Sequence, residues 1–73
     1  MAKQAGRHKE CVAFGKRIVE FRTELSMNQD ALAHKAKIHQ TYLSGIENGR
    51  RNPTLTMIYK LAKALKVEAS ELV

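Results

Sequence analysis

The most constraining feature of the sequence is the stretch from Asn28 to Gly49, which has the pattern of two short helices joined by a tight turn. Asn28 is a favourable N-cap, because its side-chain oxygen can accept a hydrogen bond from a free backbone N–H of the first turn. Residues then recur at helical spacing: Gln29, Leu32, Ala33 and Ala36. The turn falls at Lys37, and Gly49 supplies the positive φ that ends the second helix. We therefore predict one helix from Asn28 to about Ala36 and another from about Gln40 to Asn48.

The second predicted helix has a narrow apolar stripe, formed by Leu43 and Ile46. Its other residues face outward with no hydrophobic reason to do so: Gln40, Thr41, Ser44, Gly45 and Asn48. A helix that follows a short turn and carries a polar outward face is the arrangement that a helix-turn-helix places in the major groove of DNA.

Amphipathic helices flank this pair on both sides. The residues Phe14, Ile18, Phe21 and Leu25 have helical spacing, which predicts a first helix from about Cys11 to Leu25 with these four in the core. Thr54 can cap a fourth helix, whose apolar stripe has five members: Leu55, Ile58, Leu61, Ala62 and Leu65. The segment 67–72 is long enough for a last turn or two, with Val67 and Leu72 directed inward. No strand pattern is present, so we expect an all-α fold of five helices.

The composition limits the classes of protein that this chain can belong to. Its 73 residues are enough for one domain with a small core. Thirteen Lys and Arg against seven Asp and Glu give a net charge of +6, which is typical of nucleic-acid binders but also suits acidic partners or anionic membranes. The single cysteine, Cys11, fits a reducing cytosol and a packed side chain. No apolar run is long enough for a membrane span or a signal peptide, so we expect a cytoplasmic protein.

The first ten residues carry four basic side chains and no apolar period. We interpret residues 1–10 as a flexible basic arm and residues 11–73 as the folded domain. Arms of this kind can reach into a minor groove, and a solvated tail is the alternative.

The motifs together resemble the phage-repressor/Cro family of helix-turn-helix regulators, over about Phe14 to Leu72. The residues that carry the resemblance are Arg22, Ser26-Met27-Asn28-Gln29, Leu32-Ala33, Ile38, Leu43-Ser44, Ile46-Glu47-Asn48-Gly49, Asn52-Pro53 and Leu61-Ala62-Lys63-Ala64-Leu65. Within the family, the run 39–44 with Arg50-Arg51-Asn52 most resembles restriction-modification controller proteins. Lys37 departs from the pattern, because the family often has glycine there. A lysine must either adopt the αL conformation or shift the turn, at a cost of roughly 1 kcal/mol.

The resemblance implies a compact five-helix, lambda-repressor-like DNA-binding domain with the helix-turn-helix at helices 2 and 3. It further implies a homodimeric transcriptional regulator that binds double-stranded DNA at a pseudo-palindromic operator. RNA polymerase is a further partner if the regulator activates transcription. For the dimer surface we expect the C-terminal apolar residues that lie off the core stripe: Met57, Tyr59, Ala69 and Val73.

Three residues of the second motif helix are the expected base contacts. Gln40 can pair bidentately with adenine, Thr41 offers a hydroxyl and a methyl group, and Ser44 can bond to several base edges. Gly45 lies where relatives often have a base-reading side chain, so we expect DNA shape to contribute to recognition.

Phosphate contacts are expected around this helix. A helix N-terminus favours anions, which places Asn28 and Gln29 near a phosphate, and the family glutamine at the second position commonly makes such a contact. Tyr42 has two interpretations, a donor to phosphate or a ring that covers the edge of the motif, and His39 is a candidate cap. The remaining expected phosphate contacts are polar or basic: Asn48, Arg50, Arg51, Lys35 and Lys37.

Arg22 and Glu47 are expected, from the resemblance, to form a structural ion pair between helices 1 and 3. Zinc binding at His8 and Cys11 or at His34 and His39 is disfavoured, because structural zinc sites use more thiolates at shorter spacings. No motif for catalysis, a cofactor or a small-molecule ligand is present, so we do not expect an enzyme. Two alternatives stay open: a protein-interaction module such as an antitoxin or adaptor, and a non-specific architectural DNA-binding protein.

Overall fold

The computed structural model describes residues 8–73, which form four α-helices and a short C-terminal 3-10 turn. These elements are α1 (Lys9–Glu24), α2 (Gln29–Ala36), α3 (Gln40–Glu47), α4 (Leu55–Leu65) and the 3-10 turn (Ala69–Glu71). The expected all-α architecture is therefore present, but the prediction of five helices is wrong for the described part of the chain. After Lys66 takes the αL conformation that ends α4, too few residues remain for more than one turn.

The first helix begins earlier than predicted, at Lys9, so the expected boundary between arm and domain lies inside α1. Residues 1–7 of the expected arm lie outside the described residues. Phe14 and Ile18 are buried and Phe21 is partly buried, but Leu25 is 46% exposed, which contradicts its assignment to the core. The helix ends at Glu24, and beyond that residue the helical spacing no longer keeps Leu25 on the buried face.

Two of the three N-caps expected from the sequence make their side-chain bonds, at Asn28 and Thr54. The Asn28 side chain accepts a hydrogen bond from the backbone N–H of Ala31 at 2.8 Å, and Thr54 accepts one from Met57 N at 3.1 Å. Leu55, the first residue of α4, is 68% exposed, so its expected place in the core is wrong. The apolar stripe of α4 packs against the core from Ile58 onward and is buried at Leu61, Ala62 and Leu65.

The turn between α2 and α3 has the first of the two conformations open to a lysine at position 37. This residue adopts φ 59° and ψ 48°, in the αL region, and the next backbone N–H, of Ile38, bonds to the carbonyl oxygen of Ala33 at 3.0 Å. Gly49 has φ 75°, as its predicted role at the end of α3 requires. Lys37 therefore has a backbone conformation that glycine could adopt without steric cost.

One core unites all the elements. Its fully buried side chains come from every α-helix and from the C-terminal segment: Ile18, Leu32, Leu43, Ile46, Leu61, Leu65 and Leu72. Helix α1 approaches α3 closely at Gly15, where a Cβ atom would lie 2.6 Å from the carbonyl oxygen of Glu47. The absence of a side chain at Gly15 thus sets the position of α3, the helix that carries the expected base contacts. No helix within residues 8–73 has the length and hydropathy needed to cross a membrane.

Candidate nucleic-acid interface

The outward face of α3 is polar and open to solvent. Leu43 and Ile46 are fully buried on its inner side, while Gln40 and Thr41 are exposed and Ser44 is half-buried. Of the other outward residues, Asn48 is exposed and its amide donates to Ser44 Oγ over a long 3.5 Å. The three expected base contacts are therefore neither packed inside the domain nor bonded to its core.

A chain of hydrogen bonds connects α1, α2 and α3 behind this face. Arg22 donates from Nε to Glu47 Oε2 at 2.8 Å and from Nη2 to Glu47 Oε1 at 3.1 Å. The expected Arg22–Glu47 pair is thus present as a two-pronged contact, and Arg22 also donates to the carbonyl oxygen of Met27 at 2.9 Å. Glu47 Oε1 accepts a further bond from Gln29 Nε2 at 2.9 Å, so the carboxylate serves two helices.

This chain of bonds fixes which way the Gln29 amide points. Its Nε2 faces the carboxylate of Glu47, so its Oε1 faces the other way, where it accepts a bond from Gln40 Nε2 at 3.3 Å. Gln40 therefore keeps its own Oε1 and one N–H free, and this donor–acceptor pair is the one that matches adenine N6 and N7. The sequence indicated Gln29 as a phosphate contact and gave no sign of its bonds to Glu47 and Gln40.

Tyr42 and Arg51 form a second cluster, on the side of α3. The half-buried ring of Tyr42 packs against the core, as in the second of its two interpretations, and the Arg51 guanidinium lies 5.4 Å from the ring centroid. Gly45 makes room for this arrangement, because a Cβ there would lie 2.7 Å from Arg51 Cγ. The Arg51 side chain thus occupies the space into which a base-reading side chain at position 45 would project.

The loop after α3 has exposed side chains, while backbone N–H groups at its start are hydrogen-bonded to α3. The N–H groups of Arg50 and Arg51 both donate to the carbonyl oxygen of Gly45, at 2.8 and 3.3 Å. Both arginine side chains are exposed, and neither forms an ion pair with a described residue. Contact of these two arginines with an anion must therefore be made by their side chains.

The other expected contacts lie in different places. Asn28 is exposed at the N-cap of α2, beside Gln29, while His39 is the N-cap of α3 and makes no side-chain capping bond. Lys35 and Lys37 are at the opposite end of α2, where the structure groups them with two lysines of α4. Within residues 8–73, no cluster of histidine, cysteine and carboxylate side chains could hold a metal ion.

The residues expected at a dimer surface divide into two pairs. Tyr59 is 59% and Val73 is 72% exposed, whereas Met57 and Ala69 are half-buried and pack against the core. Leu55 precedes Tyr59 by one helical turn and is also exposed, so α4 carries an apolar patch of one residue expected in the core and one expected at the dimer surface.

Comparison with known proteins relates this geometry to a family. Residues 18–72 match the family model described as helix-turn-helix. The control protein C.BamHI of Bacillus amyloliquefaciens is 42% identical over 60 residues, which cover 81% of this chain and 74% of that protein.

Solved structures give the same result. The restriction-modification controller protein C.AhdI of Aeromonas hydrophila superposes with a TM-score of 0.87 and 39% identity, over 90% of this chain and all of that one. The tetramer of the controller protein C.Esp1396I in complex with its natural 35 base-pair operator gives a TM-score of 0.79 and 33% identity, over 84% of this chain and 80% of that one.

Proposed function

Because this chain belongs to the helix-turn-helix family and is a sequence-specific DNA-binding transcriptional regulator, we propose that it binds its operator with α3 in the major groove. The observation that carries this proposal is the open polar face of α3, with Gln40 held at its start by Gln29. The bond to Gln29 already restricts the Gln40 side chain. Placing Gln40 against a base therefore loses less conformational entropy than placing an unrestrained glutamine would.

Base recognition is assigned to Gln40, Thr41 and Ser44. Gln40 offers its free Oε1 to adenine N6 and its remaining N–H to adenine N7. Thr41, one residue on, brings a methyl group toward a thymine methyl, and Ser44 lies one helical turn further along the same face. Since Gly45 has no side chain, the direct contacts are few, and the deformability of the operator contributes to specificity.

Phosphate binding is assigned to groups around this face. Asn28 and Gln29 lie at the N-terminus of α2, where the helix dipole favours an anion. Arg50 and Arg51 follow α3 with exposed side chains, and Asn48 lies next to them. Tyr42 joins this set through its hydroxyl group. Lys35 and Lys37, exposed at the C-terminal end of α2, join it through their ammonium groups. Each phosphate that a basic residue neutralises adds about −0.9 to the slope of log affinity against log salt concentration.

A homodimer is the proposed assembly, with RNA polymerase as a further partner of an activating form. Two copies of α3 would then read half-sites about one helical turn, roughly 34 Å, apart. The exposed residues Leu55, Tyr59 and Val73 support a dimer surface that includes the C-terminal residues predicted from the sequence. The controller proteins among the relatives support a role in restriction-modification control. A regulator with this role acts in the cytoplasm, where its operator DNA is located.

The test is selection of bound duplexes from a random pool by the full chain, followed by native mass measurement of the complex. We expect enrichment of a sequence with two-fold symmetry and a mass of two or four chains per duplex. A chain that enriches no sequence but binds every duplex would be an architectural protein. A chain that binds no duplex in low salt would be a protein-interaction module, and either result contradicts the proposal.

A further inference from the structure

We propose that a groove beside α1 holds the α1 helix of a second copy of this chain, in antiparallel orientation. The contact presupposes the proposed homodimer and adds α1 to its interface. The groove, which we call the α1 groove, has a volume of about 300 Å³ and lies between the first half of α1, the loop before α4 and the C-terminal residues. The expected base contacts Gln40, Thr41 and Ser44 do not line it.

The α1 groove offers accessible apolar surface. Ala13 and Val73 are exposed where they line it, and Pro53 and Ile58 are half-buried. Ile58 lies next to Tyr59 in α4, and Val73 belongs to the expected dimer surface, so the groove is continuous with that surface. Covering this area removes apolar surface from water, which is the main driving force of association.

Two opposite charges lie on the α1 side of the groove. Glu10 and Arg17 are both exposed and both line it, two helical turns or about 10 Å apart along α1. Within residues 8–73, neither side chain forms an ion pair. Ala13 lies between them on the exposed side of α1, and its small side chain allows a second helix to approach closely.

This pattern of charge is complementary to itself in reverse. In a two-fold symmetric contact, residue i of one copy meets residue j of the other, and j meets i. Two antiparallel α1 helices that cross near Ala13 therefore pair Glu10 of each copy with Arg17 of the other. A second copy uses both charges and the apolar surface between them.

Other occupants fit the α1 groove less well. Duplex DNA would bring phosphates to the carboxylate of Glu10, where they need a cation. A ligand with one charge would leave either Glu10 or Arg17 without a partner. These two side chains therefore favour a partner that carries both charges in the opposite order, as α1 itself does.

The location of the groove leaves the reading face of α3 open. The first half of α1 lies at the C-terminal end of α3, since a Cβ atom at Gly49 would lie 2.7 Å from Val12 Cγ2. Gln40 begins α3, about 10 Å along the helix from its last residue. Arg50 and Arg51 precede the groove residue Asn52, so the groove adjoins the proposed DNA surface but includes none of its residues.

The test is sedimentation equilibrium of the full chain, alone and with the selected duplex. Glu10→Arg and Arg17→Glu each turn two attractive pairs into two like-charge pairs, so each should weaken the dimer at least roughly tenfold. Net charge predicts the opposite for Arg17→Glu, because this change lowers the positive charge of a chain that carries +6. The matched control is Lys16→Glu, which makes the same change of charge at an exposed neighbour outside the groove and should not weaken the dimer.

Two combinations restore both attractive pairs. The double variant Glu10→Arg/Arg17→Glu keeps the net charge of the wild type and should dimerise as the wild type does. A mixture of the two single variants should form mixed dimers, since a chain with two arginines on this face then meets a chain with two glutamates. Thermal unfolding of each variant verifies that it folds.

The outcomes separate this contact from the homodimer itself. Single variants that dimerise as tightly as the wild type, or a double variant as weak as the single ones, would overturn the α1 contact and leave the homodimer standing. A wild type that stays monomeric at every concentration, alone and on the duplex, would contradict the homodimer and the α1 contact with it.

Discussion

The ion pair behind the recognition helix allows a quantitative prediction of stability. The side chains of Arg22 and Glu47 are only 14% and 5% exposed, and three hydrogen bonds end on the Glu47 carboxylate. Replacing Glu47 by methionine leaves the guanidinium desolvated without its main partner. Such a loss costs about 3–5 kcal/mol for a fully buried pair. Because Arg22 keeps some exposure and its bond to Met27, we expect about 2–4 kcal/mol.

This is a large share of the free energy of unfolding, which is about 4–11 kcal/mol for a chain of this length. A loss of about 3 kcal/mol should lower the Tm by roughly 12–24 °C. Circular dichroism measures the Tm, and urea unfolding measures the free energy itself.

The double variant Arg22→Met/Glu47→Met distinguishes pairing from simple loss of packing. Two apolar side chains leave no buried charge unpaired, so the double variant should be at least about 2 kcal/mol more stable than the sum of the single losses predicts. Additive losses, within about 0.5 kcal/mol, would refute the reasoning, since they would mean that the two charges do not interact.

Three further variants test other parts of the structure. Lys37→Gly removes the αL strain and should raise stability by up to about 1 kcal/mol in urea unfolding, whereas a loss of stability would mean that the lysine side chain contributes to the fold. Gly15→Ala should lower the Tm, at a cost of about 1–3 kcal/mol, because its Cβ would meet the backbone of Glu47, and an unchanged Tm would contradict the close packing of α1 on α3. Leu55→Ser/Tyr59→Ser should weaken the dimer in sedimentation analysis, while Leu25→Ser, which changes an exposed leucine elsewhere, should not. An unchanged dimer would place the interface on another surface.

The features that residue patterns alone predicted correctly depend on local interactions, whereas the Arg22–Glu47 pair, 25 positions apart, was expected only from the family resemblance. The cap at Asn28 joins atoms three residues apart, and the positive φ of Gly49 follows from its place directly after α3. The two errors of burial, at Leu25 and Leu55, have one cause. Helical spacing describes the interior of a helix, and it was extended to end positions where the chain no longer faces the core.

The features that the sequence could not predict depend on residues that only the fold brings together. Gln29 and Glu47 are 18 positions apart, and nothing in either local pattern specifies their bond. The contact between Gly45 and Arg51 likewise requires the path of the loop after α3. The proximity of Lys35 and Lys37 to Lys60 and Lys63 is a third case, because the whole of α3 separates the two pairs in the sequence.

Recognition of base edges by α3 is the central claim, and the affinity of Gln40→Ala for a set of related duplexes tests it most directly. The set contains the selected operator and variants with each base pair changed in turn. The account predicts that Gln40→Ala loses about 1–3 kcal/mol on the operator and no longer distinguishes the bases at one A·T pair, while other positions keep their discrimination. Equal loss on every duplex, or no loss on any, would contradict it.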